Sequence, residues 1–218
     1  MEWTNTEDVR LLTGLDDYDI EDDDLELLLD VAQKEVLLKI NNRIVREEIK
    51  LIDETRTNNI DGDNTTYYIR NWKGNFISDN NFDLDITVAD VEVISVDGDG
   101  LETIETVSSI SSSEGKFVLA TAPLDVDLYV SYSFSYHDPE TPNPLLKLAT
   151  EYLAGAYSYM RINSSQNKQV KFGNVSISNG IGDNSSYLFL YNKYLDIMRQ
   201  LDENIGRGAI WGTSKVII

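Results

Sequence analysis

Apolar positions from Ile20 to Ile52 recur at helical spacing for longer than most globular helices last. Leu25, Leu28, Leu29, Ala32, Val36, Ile40 and Ile44 form one stripe along "IEDDDLELLLDVAQKEVLLKINNRIVREEIKLI". The pattern predicts a single long helix over 20–52. The acidic run from Glu21 to Asp24 sits at its start, where carboxylates accept from free backbone N–H groups and complement the positive dipole end. Asp23 and Glu26 also have capping-box spacing. Upstream, "TEDVRLLTGLDDYDI" predicts a short helix from Thr6 to Thr13, stopped by Gly14.

After Ile52 the helical period gives way to "DETRTNNIDGDNTTYY", whose Asn, Asp, Thr and Gly are turn formers, and a boundary is placed near Thr55. From Thr65 to Tyr136 the period becomes two. Strands are expected at "TTYYIRNW", "DLDITVADVEVISV", "LETIETV", "KFVLATA" and "VDLYVSYSFSY". In the last of these Val126, Leu128, Val130, Tyr132, Phe134 and Tyr136 point one way, and Asp127, Ser131, Ser133 and Ser135 point to a wet face.

Pro142 and Pro144 then suit the first turn of a new helix, "LLKLATEYLAGAYSYMRI". Its Ala149, Ala154, Gly155 and Ala156 would let another helix approach closely, with the long first helix as the expected partner. A short strand or hairpin arm follows at "KQVKFGNVSISNGIGDN". A last helix is expected from about Ser185 to Gly206. The terminal "RGAIWGTSKVII" has no helical period, and its apolar residues suit it either to adding a strand to another chain's sheet or filling its groove, or to folding back on the chain's own β region.

The fold class read from these elements is α+β. A small α-helical bundle, made of the long N-terminal helix and two C-terminal helices, carries an inserted antiparallel β-sandwich or small barrel and an extended C-terminal tail. The expected domains are a discontinuous helical one over 1–55 and 139–218, an inserted β domain over 56–138, and the tail over 207–218.

Two stretches carry a resemblance. "EDVRLLTGL" followed by "DIEDDDLELLLDVAQKEVLLKI" resembles the N-terminal half of the head-tail adaptor (connector) proteins of tailed bacterial and archaeal viruses. The C-terminal half is similar to the adaptor pattern of helix, Gly-containing sequence, helix and extended tail. It offers a Leu/Ala/Tyr helix, "VKFGNVSIS", and a helix that opens with Ser and reads "YLFLYNKYLDIM". The matching parts cover Thr4 to Ile52 and Thr141 to Ile218, whereas the β region has no counterpart in the smallest members. The resemblance implies a virion structural protein, made in the host cytoplasm and located in the neck between head and tail. It implies a homo-oligomeric ring of about a dozen copies, with a portal protein on one side and the tail or next neck protein on the other. Genomic DNA would pass through without sequence-specific binding. The tail would reach the portal, which makes Arg207, Ile210, Trp211, Val216, Ile217 and Ile218 the expected partner-binding residues.

Bulk properties narrow the chemistry. The formal charge of −20, from 38 acidic against 18 basic residues, argues against a surface that grips phosphate backbones. It suits either a high-salt habitat or a protein that lies beside DNA without holding it. No cysteine is present, which leaves no disulfide framework and no Cys-based metal site. No apolar run approaches a membrane span and no signal segment is visible, so no membrane partner is expected.

His137 is the one histidine, which excludes a His triad or a two-His metal site and favours a structural role. "DGDN" at Asp61 and "DGDG" at Asp97 have calcium-loop flavour, but turn chemistry explains both. Paired carboxylates are expected by chance among so many acids, and Gly180-Ile181-Gly182 lacks the Lys of a phosphate loop. Trp3, Trp72 and Trp211 are each either a binding anchor or core. No catalytic residue, metal site or cofactor is therefore expected, and the protein is read as no enzyme. The alternative reading is a virion accessory protein that binds a glycan or receptor through its β domain.

Overall fold

One long strand settles where much of the chain lies. "DLYVSYSFS" alternates and is rich in β-branched and aromatic residues, so it is extended, and it hydrogen-bonds along both edges. This is β8 (Asp127–Ser135) in a computed structural model that describes residues 3–50, 58–70, 75–138, 140–166, 170–172, 175–177 and 185–205. β8 pairs antiparallel with β1 (Asn42–Glu48) on one edge. On the other it pairs with β4 (Glu92–Val96) along its first half and β3 (Phe76–Ser78) along its last residues. β5 (Glu102–Glu105) completes this sheet beside β4. A three-stranded antiparallel sheet has the order β2 (Thr66–Tyr68), β7 (Lys116–Leu119), β6 (Val107–Ser111). β9 (Val170–Phe172) and β10 (Val175–Ile177) pair antiparallel, as the hairpin reading expects.

Among the described residues there are four α-helices: α1 (Thr6–Thr13), α2 (Asp22–Ile40), α3 (Pro144–Gln166) and α4 (Ser185–Ile205). The protein is thus mixed α+β with antiparallel sheets, and neither larger sheet closes into a barrel. The chain divides into two compact units. One is Leu37–Asn143 together with Met1, and the other joins Glu2–Val36 to Pro144–Ile218.

The helix expected over 20–52 stops at Ile40. Asn41 ends it: its Nδ2 donates to the Asp79 carbonyl at 2.8 Å, and its Oδ1 accepts from Ser78 Oγ at 2.8 Å. The next residues become β1, with Ile44 opposite Tyr132 and a register shift between Ile44 and Glu47, where Arg46 takes φ 56°. The helical spacing of Ile44 is real, but an open edge on β8 outweighs it.

The Ser face of β8 is not wet. Ser131, Ser133 and Ser135 are all buried. Their hydroxyls are used locally: Ser133 Oγ donates to Asn80 Oδ1 at 2.7 Å, and Ser135 Oγ accepts from the His137 amide at 3.0 Å. The core of this unit draws Tyr67, Ile69, Phe117 and Leu119 together with Val93, Leu128, Val130, Tyr132 and Phe134. Tyr67 stacks on Phe117 with ring centroids 5.8 Å apart.

In the helical unit, Asn5 caps α1 by accepting from the Asp8 amide at 2.9 Å, and Gly14 closes it at φ 73°. The N-terminal residues are tied to α3 by polar contacts. Lys147 Nζ meets Asp8 at 2.9 Å, Thr4 Oγ1 lies 2.9 Å from Glu151, and the Tyr159 hydroxyl donates to the Thr13 carbonyl at 3.1 Å. Burial pushes the Glu151 carboxyl up, while Thr4 and Lys147 pull it back. Tyr157 bonds Glu35, and Arg161 bonds Asp24.

At Gly155 the close neighbours of α3 are not on the long first helix expected there. A Cβ on Gly155 would stand 2.5 Å from Thr13 Cγ2 and 3.3 Å from Leu190 Cδ1, so α1 and α4 are the close neighbours there. Thr13 cannot easily yield, because its hydroxyl donates to the Val9 carbonyl at 2.7 Å. Gly155→Ala is expected to destabilise by about 1–2 kcal/mol despite the helix-propensity gain. Adding Thr13→Ser, which keeps the hydroxyl and removes the methyl, should turn the Gly155→Ala effect neutral or favourable in denaturant unfolding.

Candidate functional site

The Leu37–Asn143 unit holds a cleft of about 530 Å³, lined by Glu47, Glu48, Ile49, Lys50, Asn58, Tyr68 and Arg70. β1 supplies the two glutamates and β2 supplies Tyr68. Asn58, itself buried, ties the walls together. Its Nδ2 donates to the Lys50 and Tyr68 carbonyls at 3.0 and 2.9 Å, and its Oδ1 accepts from the Tyr68 amide at 2.9 Å. Glu47 Oε1 accepts from the Arg70 amide at 2.7 Å, and Oε2 accepts from the Tyr132 hydroxyl at 3.1 Å. Burial nevertheless pushes its carboxyl up, with those two donors and the Arg70 charge opposing. The cleft offers carboxylates, an ammonium and a guanidinium to a polar ligand.

A second site lies on helix surfaces. α2 has an outward stripe of Leu27, Val31 and Leu38, which are 57%, 45% and 60% exposed, opposite its buried stripe of Leu25, Leu29, Ala32 and Val36. At the start of α4, Leu188 and Phe189 are 52% and 58% exposed, while Leu190, Tyr194, Ile197 and Leu201 turn inward. Lys193 Nζ stands 5.6 Å over the Phe189 ring. Apolar side chains so placed are suited to burial against another protein surface.

The tail residues Arg207, Ile210, Trp211, Val216, Ile217 and Ile218 lie outside the described residues, as do Trp72 and Gly180 to Gly182. Trp3 is buried, and its amide donates to Gln33 Oε1 at 3.3 Å, which makes it core. His137 is half-buried just past β8. Asp61 Oδ1 accepts from the amides of Asp63 and Asn64 at 3.0 and 2.9 Å, which holds its pKa low, and Asp97 Oδ1 accepts from Asp99 and Leu101 at 3.0 and 2.8 Å. Both are turn carboxylates.

The alternation that predicts a strand across 83–96 conceals a different pattern. Asp79, Asn81, Asp83, Asp85, Thr87 and Asp90 have the spacing of positions one, three, five, seven, nine and twelve of a twelve-residue calcium loop, but Leu84 stands where that loop requires Gly and Asp90 where it has Glu. Only Glu92–Val96 is strand, and Phe82 and Leu84 take left-handed φ of 60° and 69°. Both end carboxylates are buried and turned onto the loop's own amides. Asp79 accepts from Phe82 and Leu84 at 2.6 and 2.8 Å, and Asp90 from Asn80 and Thr87 at 2.6 and 2.8 Å. Among the described residues no three His, Cys, Asp or Glu side chains converge as metal ligands, and no helix is long and apolar enough to cross a membrane.

No family model matches the chain, and no curated protein is significantly similar to it.

A carboxyl held above its unfolded value contributes stability at low pH and loses that contribution as the pH rises through the folded value. Glu47 is such a group, with an ordinary value of 4.5. Glu47→Gln is therefore expected to gain on the wild type as the pH rises from about 4.5 toward neutrality. Denaturant unfolding across that range checks it, and a wild-type-minus-variant difference independent of pH would refute it.

Proposed function

We propose that the protein is a head-tail adaptor of a tailed virus. It is a ring-forming virion structural protein that docks on the portal, joins the filled head to the tail or next neck ring, and lets DNA pass through its lumen. In this reading the helical unit is the adaptor bundle, the two sheets of Leu37–Asn143 form an inserted sandwich, and the C-terminal residues from Arg207 reach the portal.

One observation carries the reading. Of the two stretches that resemble the halves of an adaptor, Thr4 to Ile52 and Thr141 to Ile218, the parts up to Val36 and from Pro144 onward belong to one compact unit, and Leu37 to Ile52 belongs to the other. Contacts such as Asp8 with Lys147, Thr4 with Glu151 and Glu35 with Tyr157 join the halves directly. A chance likeness in two distant stretches would not require them to share a core. The excess of acidic residues supports the lumen role, since counterion release rewards basic rather than acidic surfaces. The accessory glycan- or receptor-binding reading has the polar cleft around Glu47, Tyr68 and Arg70 in its favour.

Quantitative mass spectrometry and immunogold labelling of purified particles test the choice. About a dozen copies at a single vertex are expected for a ring adaptor. Copies in large excess, spread over the shell, would favour the accessory role, and absence from particles would remove both. Deleting residues 210–218 should abolish binding to portal-bearing heads. Undiminished binding of that deletion would place the portal contact elsewhere.

A further inference from the structure

Thr4, Asp8, Lys147 and Glu151 meet where α1 lies on α3, and the hydrogens of two ionised acids, an ammonium and a hydroxyl do not suffice for the contacts they make. The Thr4 hydroxyl stands 2.9 Å from Glu151 Oε1 and 3.2 Å from Asp8 Oδ2. Lys147 Nζ donates to the same Asp8 oxygen at 2.9 Å, but it is 3.8 Å from Glu151 Oε1, past hydrogen-bond length. A hydroxyl has one proton, and an ionised carboxylate only accepts. With both acids charged, one of the two contacts of Thr4 therefore sets lone pair against lone pair. Thr4 and Glu151 are 4% and 6% exposed, which leaves water little access to supply the missing hydrogen.

One added proton removes the conflict. Placed on Glu151 it donates to Thr4 Oγ1, Thr4 donates to Asp8, and Asp8 stays ionised beside Lys147. Glu151 is the acid that takes it, because Lys147 bonds Asp8 directly and the Glu151 side chain is 8% exposed against 32% for Asp8. Among the described residues the charged groups that act on Glu151 are Asp8 from α1, which repels its charge, and Lys147 from α3, which attracts it. Burial pushes the Glu151 carboxyl up, whereas the Lys147 hydrogen bond draws Asp8 down. Thr4 opposes the rise at Glu151 only while its proton faces that acid, the arrangement that leaves Asp8 facing a lone pair.

We infer that the seat of α1 on α3 is a proton-operated latch: Glu151 holds a proton while α1 is docked, and giving it up to solvent at higher pH loosens the helix. Little apolar contact backs the polar tie, since Val9 is the one fully buried residue of α1. The latch lies within the helical unit and does not rest on the adaptor reading.

Carbon-13 NMR of the full chain follows the Glu151 carboxyl from about pH 4 to about pH 8. Amide hydrogen exchange, corrected for the intrinsic rate at each pH, follows the opening of α1 at the Val9–Thr13 amides. Glu151 is expected to titrate well above its ordinary 4.5. The proton is bound more tightly when α1 is docked than when it is released. Opening of α1 should therefore increase with pH by up to about tenfold per unit between those two values, and level off above the docked one. The interior of α3 should stay protected. Glu151→Gln carries a donor at every pH, so its α1 protection should be flat across the range. Thr4→Val separates the two roles of the hydroxyl: an accepting oxygen favours the neutral acid, so its loss should lower the Glu151 midpoint, whereas loss of a donor would raise it. A wild-type midpoint near 4.5, wild-type α1 protection independent of pH, an undiminished pH dependence in Glu151→Gln, or a raised midpoint in Thr4→Val would each overturn the latch.

Discussion

A strand that hydrogen-bonds along both edges must find a partner for each, and in this protein that demand is made by β8. One edge is satisfied by β4 and β3 laid end to end, and the other by β1. Unpaired backbone groups in a buried sheet cost more than the helical preference of a few residues returns. Everything downstream of Ile40 in α2 answers to this: the Asn41 side chain ends the helix against Ser78 and Asp79, and the chain leaves as a strand. The Ser side of β8 is covered as well, and its small hydroxyl side chains are buried.

The acidity of the chain looks different once its partners are known. Asp16, Asp61, Asp83, Asp97 and Asp138 each accept from backbone amides within the next few residues, and the buried Asp79 and Asp90 hold the half-exposed loop between them. Part of the net charge of −20 is thus turn chemistry expressed as aspartate.

Legibility followed range. α1 with its Asn5 and Gly14 ends, the body of α3, the start of α4 and the hairpin of β9 and β10 rest on local signals, and local pattern found them. The end of α2 did not follow from pattern, because the strand that competes for Asn42–Glu48 lies in another part of the chain. The loop from Asp79 to Asp90 misled for a related reason: acidic residues at every second position imitate a half-wet strand, and only their hydrogen bonds to amides separate the two. The cleft at Glu47 joins residues from β1, β2 and the loop at Asn58, and no spacing in the sequence announces it. The outward stripe of α2 was written in the sequence as apolar residues in excess of one face, legible once the inward face was assigned.

The pairing of Asn42 with Phe134 has a consequence for how the chain comes to be folded. Some ninety residues separate these partners, so during synthesis the segment after Ile40 emerges long before the strand that claims it. The pairing of β1 with β8 is a long-range step, which makes β1 a late element of the fold and its assembly slow relative to the local turns of the helices.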